Sequence, residues 1–174
     1  MQHSVFLLLG SNRGDREHNL FRACEGIRQT IGTILKISSV YETDPWGFED
    51  STPFYNQALE IETSLDPEQL MQGIQSIERK LGRTRQAPES DSGCACNTVK
   101  YSSRNIDIDI LFYNSAILFT DDLMIPHPRL HERRFTLVPL NEIAAGYIHP
   151  VYRKSVSELL RQCDDKGKVR KISP

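Results

Sequence analysis

The chain has 174 residues with 21 basic and 23 acidic side chains, a formal charge of −2, and 39% hydrophobic against 25% charged content, the make-up of one domain spanning residues 1–174 that can bury a core without disulfide or metal staples. So even a balance excludes gripping nucleic acid by overall positive charge, and any polyanion site has to be local. Apolar runs are short, Val5 to Leu9 among them, where a membrane span needs about 20 residues, and no basic leader precedes the first strand, so a cytoplasmic protein without membrane or nucleic-acid partners is expected.

In chain order, Ser4 to Leu9 reads as a buried strand that stops at the turn residues Gly10 to Asp15. Leu20, Ala23, Cys24, Ile27 and Ile31 then fall at helical spacing, with Gly32 as the stop. Ile34 to Thr43 alternates like one strand, and Asp44-Pro45-Trp46-Gly47 opens a loop that runs to about Pro53. Phe54 to Thr63 is again strand-like. Asp66 as N-cap, Pro67 at the first helical position and the stripe Leu70, Ile74, Ile77 and Leu81 predict a second helix closed by Gly82. Arg83 to Ser103 lacks periodicity and is longer than most loops in compact domains. Ile106 to Phe112 is the clearest strand, with Ala116 to Phe119 as its hairpin return, and Val138 to Ala145 and Val156 to Gln162 are helical candidates. The order β-α-β-β-α-β predicts an α+β fold with a ferredoxin-like core: a mainly antiparallel sheet, both helices on one face, plus a C-terminal hairpin and short helices.

Chemistry concentrates in three places. Within Ile106 to Ile110 the isoleucines share one face of the strand, and Asp107 and Asp109 share the other, about 6.6 Å apart at roughly 3.3 Å per residue. Two carboxylates at that spacing can hold one cation or two neighbouring ones, and desolvated without partners they would be costly; an edge strand with a polar face is the alternative reading. Arg104 beside the pair, with Arg83 and Arg85 at the start of the long loop, suits a polyphosphate whose Mg²⁺ sits on the carboxylates. The second place is Ile125 to Phe135, with His127, His131, Arg129, Arg133 and Arg134; Pro128 interrupts any regular helix across the two histidines, so zinc is not expected. The third is Trp46, Phe54 and Asn56 around a turn, which suits a flat heteroaromatic ring stacked and read by an amide. Cys94 and Cys96 have no second pair at metal-binding spacing and read as reduced thiols.

The sequence resembles the 6-hydroxymethyl-7,8-dihydropterin pyrophosphokinases of folate biosynthesis, from Ser4 to about Pro150. The resemblance is carried by Leu9-Gly10-Ser11-Asn12, Tyr41 to Gly47, Phe54 to Ala58, Ile77-Glu78-Arg79, Gly82-Arg83-Thr84-Arg85, Arg104 to Ile110, Ile125 to Pro128 and Arg133-Arg134-Phe135. It implies a ferredoxin-like fold, ATP as co-substrate, two Mg²⁺ ions on Asp107 and Asp109, and transfer of pyrophosphate to the pterin's hydroxymethyl oxygen with AMP leaving. It further implies a pterin pocket of Thr43, Asp44, Trp46, Phe54, Asn56 and Phe135, and an ATP site of Gln75, Glu78, Arg83, Arg104, Ile110, His127 and Arg133. Arg83, Arg85 and Arg104 would act with the two aspartates in catalysis, Arg85 by closing the long loop, and the protein would work as a monomer on small-molecule substrates. This chain has Tyr101 where well-known members have a Trp before the arginine, Pro128 in place of an aromatic, and a long loop extended by Pro88 to Asn97. The competing readings are another two-metal nucleotidyl or phosphoryl transferase, an RNA-binding module, disfavoured by aspartates where stacking aromatics would stand, and a small thiol-based sensor.

Overall fold

A computed structural model describes residues 1–44, 52–82 and 105–172. Eight strands and four α-helices are described: β1 His3–Ser11, α1 Arg16–Thr30, β2 Thr33–Ile37, β3 Tyr41–Thr43, β4 Phe54–Thr63, α2 Pro67–Lys80, β5 Asp107–Tyr113, β6 Leu118–Phe119, β7 Met124–Ile125, α3 Arg134–Ala144, α4 Val156–Gln162 and β8 Val169–Lys171. The main sheet runs β5-β1-β4-β3-β8, with β2 also on β4, and every pairing is antiparallel. This is the expected arrangement, with β1 and β4 at its centre. No helix among the described residues is long and apolar enough to cross a membrane.

The local signals explain the two long helices. Asp15 caps α1 by accepting from the His18 N–H at 3.0 Å, and Asp66 with Gln69 forms a reciprocal capping box on α2. Gly32 ends the first unit because a Cβ there would lie 2.1 Å from the Glu62 carbonyl, where the chain turns to pair β2 with β4. Both helices cover one sheet face, where Val5, Leu7, Leu9, Leu59, Ile61 and Ile108 meet Leu20, Ile27, Leu70 and Ile74. The opposite face is covered as well: Phe6, Leu8, Ala58 and Phe112 pack under Leu137 and Leu140 of α3 and Val156 and Leu159 of α4. Three layers result, which is why β1 is buried from Val5 through Ser11.

Several boundaries differ from the sequence reading. Ile34 to Thr43 is not one strand. At its middle the Ser38 hydroxyl accepts from the Ala58 N–H at 2.9 Å and the Gln57 amide donates to the Ser38 carbonyl, so a side chain stands in for the ladder and splits β2 from β3. β6 pairs with β7 in a separate two-stranded sheet and does not return along β5. α3 begins at Arg134, four residues ahead of the apolar stretch, and continues through Pro139. β8 carries no readable strand signal in three residues and is held by its partner β3.

Candidate active site

Strand register places the paired aspartates. Asp107 lies opposite Gly10 of β1, which lies opposite Asn56 of β4, which lies opposite Tyr41 of β3; Asp109 heads the next row through Leu8 and Ala58. Alternation puts Asp107 and Asp109, both half-buried, on the sheet face away from α1 and α2, while Ile106, Ile108 and Ile110 enter the core beneath those helices. Among the described residues β5 is the edge of the sheet, so the edge-strand alternative describes its position. That edge is not bare. Glu78 of α2, 1% exposed, accepts the Ile108 N–H on its Oε1 at 3.0 Å, fixing β5 between its two aspartates. Glu78 thus presents a carboxylate that holds the strand, three residues or about one helical turn from half-buried Gln75. The Ile110 side chain belongs to the core, leaving only its main chain at the outer edge.

On the other side of Gly10, Thr43 and Asn56 are each 3% exposed, and the Asn56 amide donates to the Thr43 hydroxyl at 2.7 Å. Phe54 pairs across from Thr43 and is half-buried. Phe135, on the first turn of α3, is half-buried against the second core, with the Arg133 guanidinium 5.6 Å from its ring centre. Asp44 is exposed just beyond β3, its N–H donating to the Lys168 carbonyl at 3.4 Å. Trp46 lies outside the described residues. At the start of β4, Arg16 stacks 3.7 Å over the Tyr55 ring and donates to the Pro53 carbonyl at 2.8 Å.

Gly10 was read as a turn residue, yet β1 runs on through Ser11, and a Cβ on residue 10 would lie 3.1 Å from Asn56 Oδ1 and 3.9 Å from Phe54. Its missing side chain leaves space between the carboxylates and the amide. The signal that could have found it is the alternation of β1 carried two residues further.

His127 is half-buried; its N–H donates to the Leu111 carbonyl at 3.1 Å and its Nδ1 accepts from the Arg129 N–H at 3.3 Å. Burial, reinforced by the positive charge of Arg133 and opposed by Asp107, lowers its pKa to about 4. The ring is therefore neutral at pH 7 with its proton on Nε2, the nitrogen free to donate. Arg133 is 6% exposed. Arg83, Arg85 and Arg104 lie outside the described residues, but the ends of their segment are tied together: the Asn105 amide donates to the Leu81 carbonyl at 3.2 Å, and the Ser11 hydroxyl donates to the Asn105 carbonyl at 2.5 Å. Gly82, at φ +87°, brings the backbone so close to Asn105 that a Cβ would lie 2.9 Å from its amide nitrogen. No three His, Cys, Asp or Glu side chains gather to hold a metal among the described residues. Two half-buried carboxylates on one strand face suit a hard cation that takes oxygen ligands, and do not make up a closed four-ligand zinc site.

A model of the family described as "7,8-dihydro-6-hydroxymethylpterin-pyrophosphokinase (HPPK)" matches residues 6–145. The protein of Bacillus subtilis (strain 168) named 2-amino-4-hydroxy-6-hydroxymethyldihydropteridine pyrophosphokinase is 44% identical over 144 residues, 82% of this chain and 79% of its own length. Its namesake in Aquifex aeolicus (strain VF5) is 40% identical over 155 residues, 89% of each chain. The crystal structure of wild-type Plasmodium falciparum HPPK-DHPS with pteroate superposes with a TM-score of 0.73 at 16% identity, over 93% of this chain and 44% of that one. That likeness concerns the fold, and the chain spans less than half the length of that protein.

Proposed function

We propose, from the premise that the chain belongs to the 7,8-dihydro-6-hydroxymethylpterin-pyrophosphokinase family, that the row Asp107, Gly10, Asn56 is its reaction axis. The enzyme transfers pyrophosphate from ATP to the hydroxymethyl group of 6-hydroxymethyl-7,8-dihydropterin, a step of folate biosynthesis. The observation that carries the assignment of residues is the register: two strand spacings, about 10 Å, separate the carboxylates from the amide that would read the pterin, with an open position at Gly10 between them.

In this reading Asn56, set by its bond to Thr43, takes the amide edge of the ring, and Phe54 and Phe135 stack on its two faces, with Asp44 and Trp46 completing the pocket. Asp107 and Asp109 would hold two Mg²⁺ ions, which neutralise the phosphate chain when bound. Neutral His127 donates from Nε2 to a phosphate oxygen, Arg133 supplies charge beside it, Gln75 and the Ile110 main chain face the nucleotide, and Glu78 keeps β5 in place. Arg83, Arg85 and Arg104 would close over the polyphosphate. The hydroxymethyl oxygen attacks the β-phosphorus in line; its bond to phosphorus forms as the bond to the bridging oxygen of the α-phosphate breaks, AMP leaves with that electron pair, and the hydroxyl proton passes to solvent. Positioning and charge neutralisation carry the step, with no strong base required. We further propose that the protein works as a monomer in the cytoplasm, where ATP is supplied.

The test is AMP release from ATP that requires both the dihydropterin and Mg²⁺. Asp109→Ala should lose turnover by orders of magnitude while keeping the circular dichroism and melting of the parent. Near-normal turnover in the folded variant, or ADP as product, would overturn the assignment.

A further inference from the structure

The segment after α4 lies beyond the part of the chain that matches the family model, yet it touches both walls of the proposed pterin pocket. α3 has no side-chain cap of its own: Arg133 occupies the N-cap position and makes no such bond. The cap comes from Asp165, whose Oδ2 accepts the Arg134 N–H at 2.9 Å. A carboxylate there also complements the positive end of the helix. Its second oxygen, Oδ1, accepts the Gly167 N–H at 2.8 Å, which folds the segment back toward β8. Two residues later Val169 pairs with Thr43, and the Lys168 carbonyl accepts the Asp44 N–H at 3.4 Å. One short run of chain, Asp165 to Val169, thus spans from the helix turn that bears Phe135 to the strand end that bears Thr43 and Asp44. Gly167 belongs to the same device, because a Cβ there would lie 3.0 Å from Asp165 Oδ1 and crowd the carboxylate. Arg133, by contrast, has a hold that does not involve the segment: its N–H donates to the Leu130 carbonyl at 3.4 Å.

We propose that Asp165 is a positioning residue for the pterin, setting the gap between Phe135 and the Thr43–Asn56 pair through its bonds to the Arg134 and Gly167 N–H groups. This rests on the pterin pocket assigned above. Asp165 touches no substrate; it holds the wall that does, so its loss should appear in pterin binding and leave the chemical step alone.

The experiment measures kcat and both KM values for Asp165→Ala, Gly167→Ala and Phe135→Ala, with Asp165→Asn as the variant that keeps one acceptor oxygen. Asp165→Ala and Gly167→Ala should each raise the KM for the dihydropterin about fivefold, the size of one lost capping bond, with kcat and the KM for ATP within about twofold of the parent. Asp165→Asn should recover part of that loss. An unchanged pterin KM in both, or equal changes in kcat and both KM values, overturns the proposal. Should Asp165→Ala fail to fold, Gly167→Ala and Asp165→Asn decide by the same split. Phe135→Ala separates the two levels: if it leaves pterin affinity unchanged, the pocket assignment falls and the proposal with it. If it weakens pterin binding while the Asp165 and Gly167 variants do not, only the positioning role of Asp165 falls.

Discussion

Gly10 shows how one absent side chain shapes chemistry. A Cβ at position 10 crowds Asn56 Oδ1 and approaches Phe54, both on the side of the row proposed to take the pterin, and meets no atom of Asp107 within 4 Å. Gly10→Val should therefore raise the KM for the dihydropterin about tenfold or more, in line with the 1–3 kcal/mol typical of overpacking, and leave ATP binding measured by calorimetry near that of the parent. A second residue-level effect concerns His149, 3% exposed, whose Nδ1 accepts the N–H groups of Val151 and Tyr152 and whose ring stands edge-on to Phe112. Burial, with a contribution from His131, lowers its pKa from 6.5 to about 4. Because the folded value lies below the unfolded one, its contribution is complete above pH 6.5 and is lost as pH falls toward 4, by on the order of 3 kcal/mol. His127 shifts the same way for the same leading reason. Denaturant melts at pH 7 and pH 4.5 check this: His149→Asn should narrow the difference between them. The aspartate pair, Phe54 and Asn56 stand out in the sequence by residue type and local spacing, and Phe135 only through the family resemblance. Gly10 and the strand-holding bond of Glu78 do not, because each depends on what a neighbouring element places opposite.

Among elements, α3 is fixed to the sheet edge by one carboxylate. Glu142 accepts from the Ser39 N–H at 3.0 Å, the Ser39 hydroxyl at 2.8 Å, the Tyr41 hydroxyl at 2.8 Å and Lys171 at 3.2 Å, joining α3 to β3 and β8. Burial alone would raise its pKa, but the donors from Tyr41, Ser39 and Lys171 outweigh that and hold it below the usual carboxylate range. A depressed folded value means stability present above pH 4.5 and lost as pH falls through the folded pKa. Glu142→Gln should lower stability by about 1–2 kcal/mol at pH 7, with the deficit fading toward pH 3. The same elements mark where sequence patterning stops. β4, α2 and α4 follow from period, caps and proline placement. The split of β2 from β3 does not, since it turns on a serine hydroxyl replacing a ladder bond, and neither does the early start of α3, whose first turn is capped from a residue 31 positions away.

For the molecule as a whole, the family match ends at residue 145 but the second core does not. Val156, Leu159 and Cys163 complete the cover over Phe6, Leu8, Phe112, Leu137 and Leu140. A chain cut after Ala145 should lose its cooperative melt and bind a hydrophobic dye, whereas one cut after Ile172 should behave like the parent. Among the described residues the two cores also hold one buried thiol each: Cys24 on the inner face of α1, and Cys163 at the C-terminal end of α4. Burial pushes the Cys24 thiol up to about 11, so it is protonated and unreactive until its face of the sheet opens. With Cys94 and Cys96 replaced by serine, alkylation of Cys24 and of Cys163 becomes a pair of internal clocks, one for each face. If bound substrates order the layer that carries Phe135 and Arg133, the Cys163 clock should slow in their presence while the Cys24 clock keeps its pace.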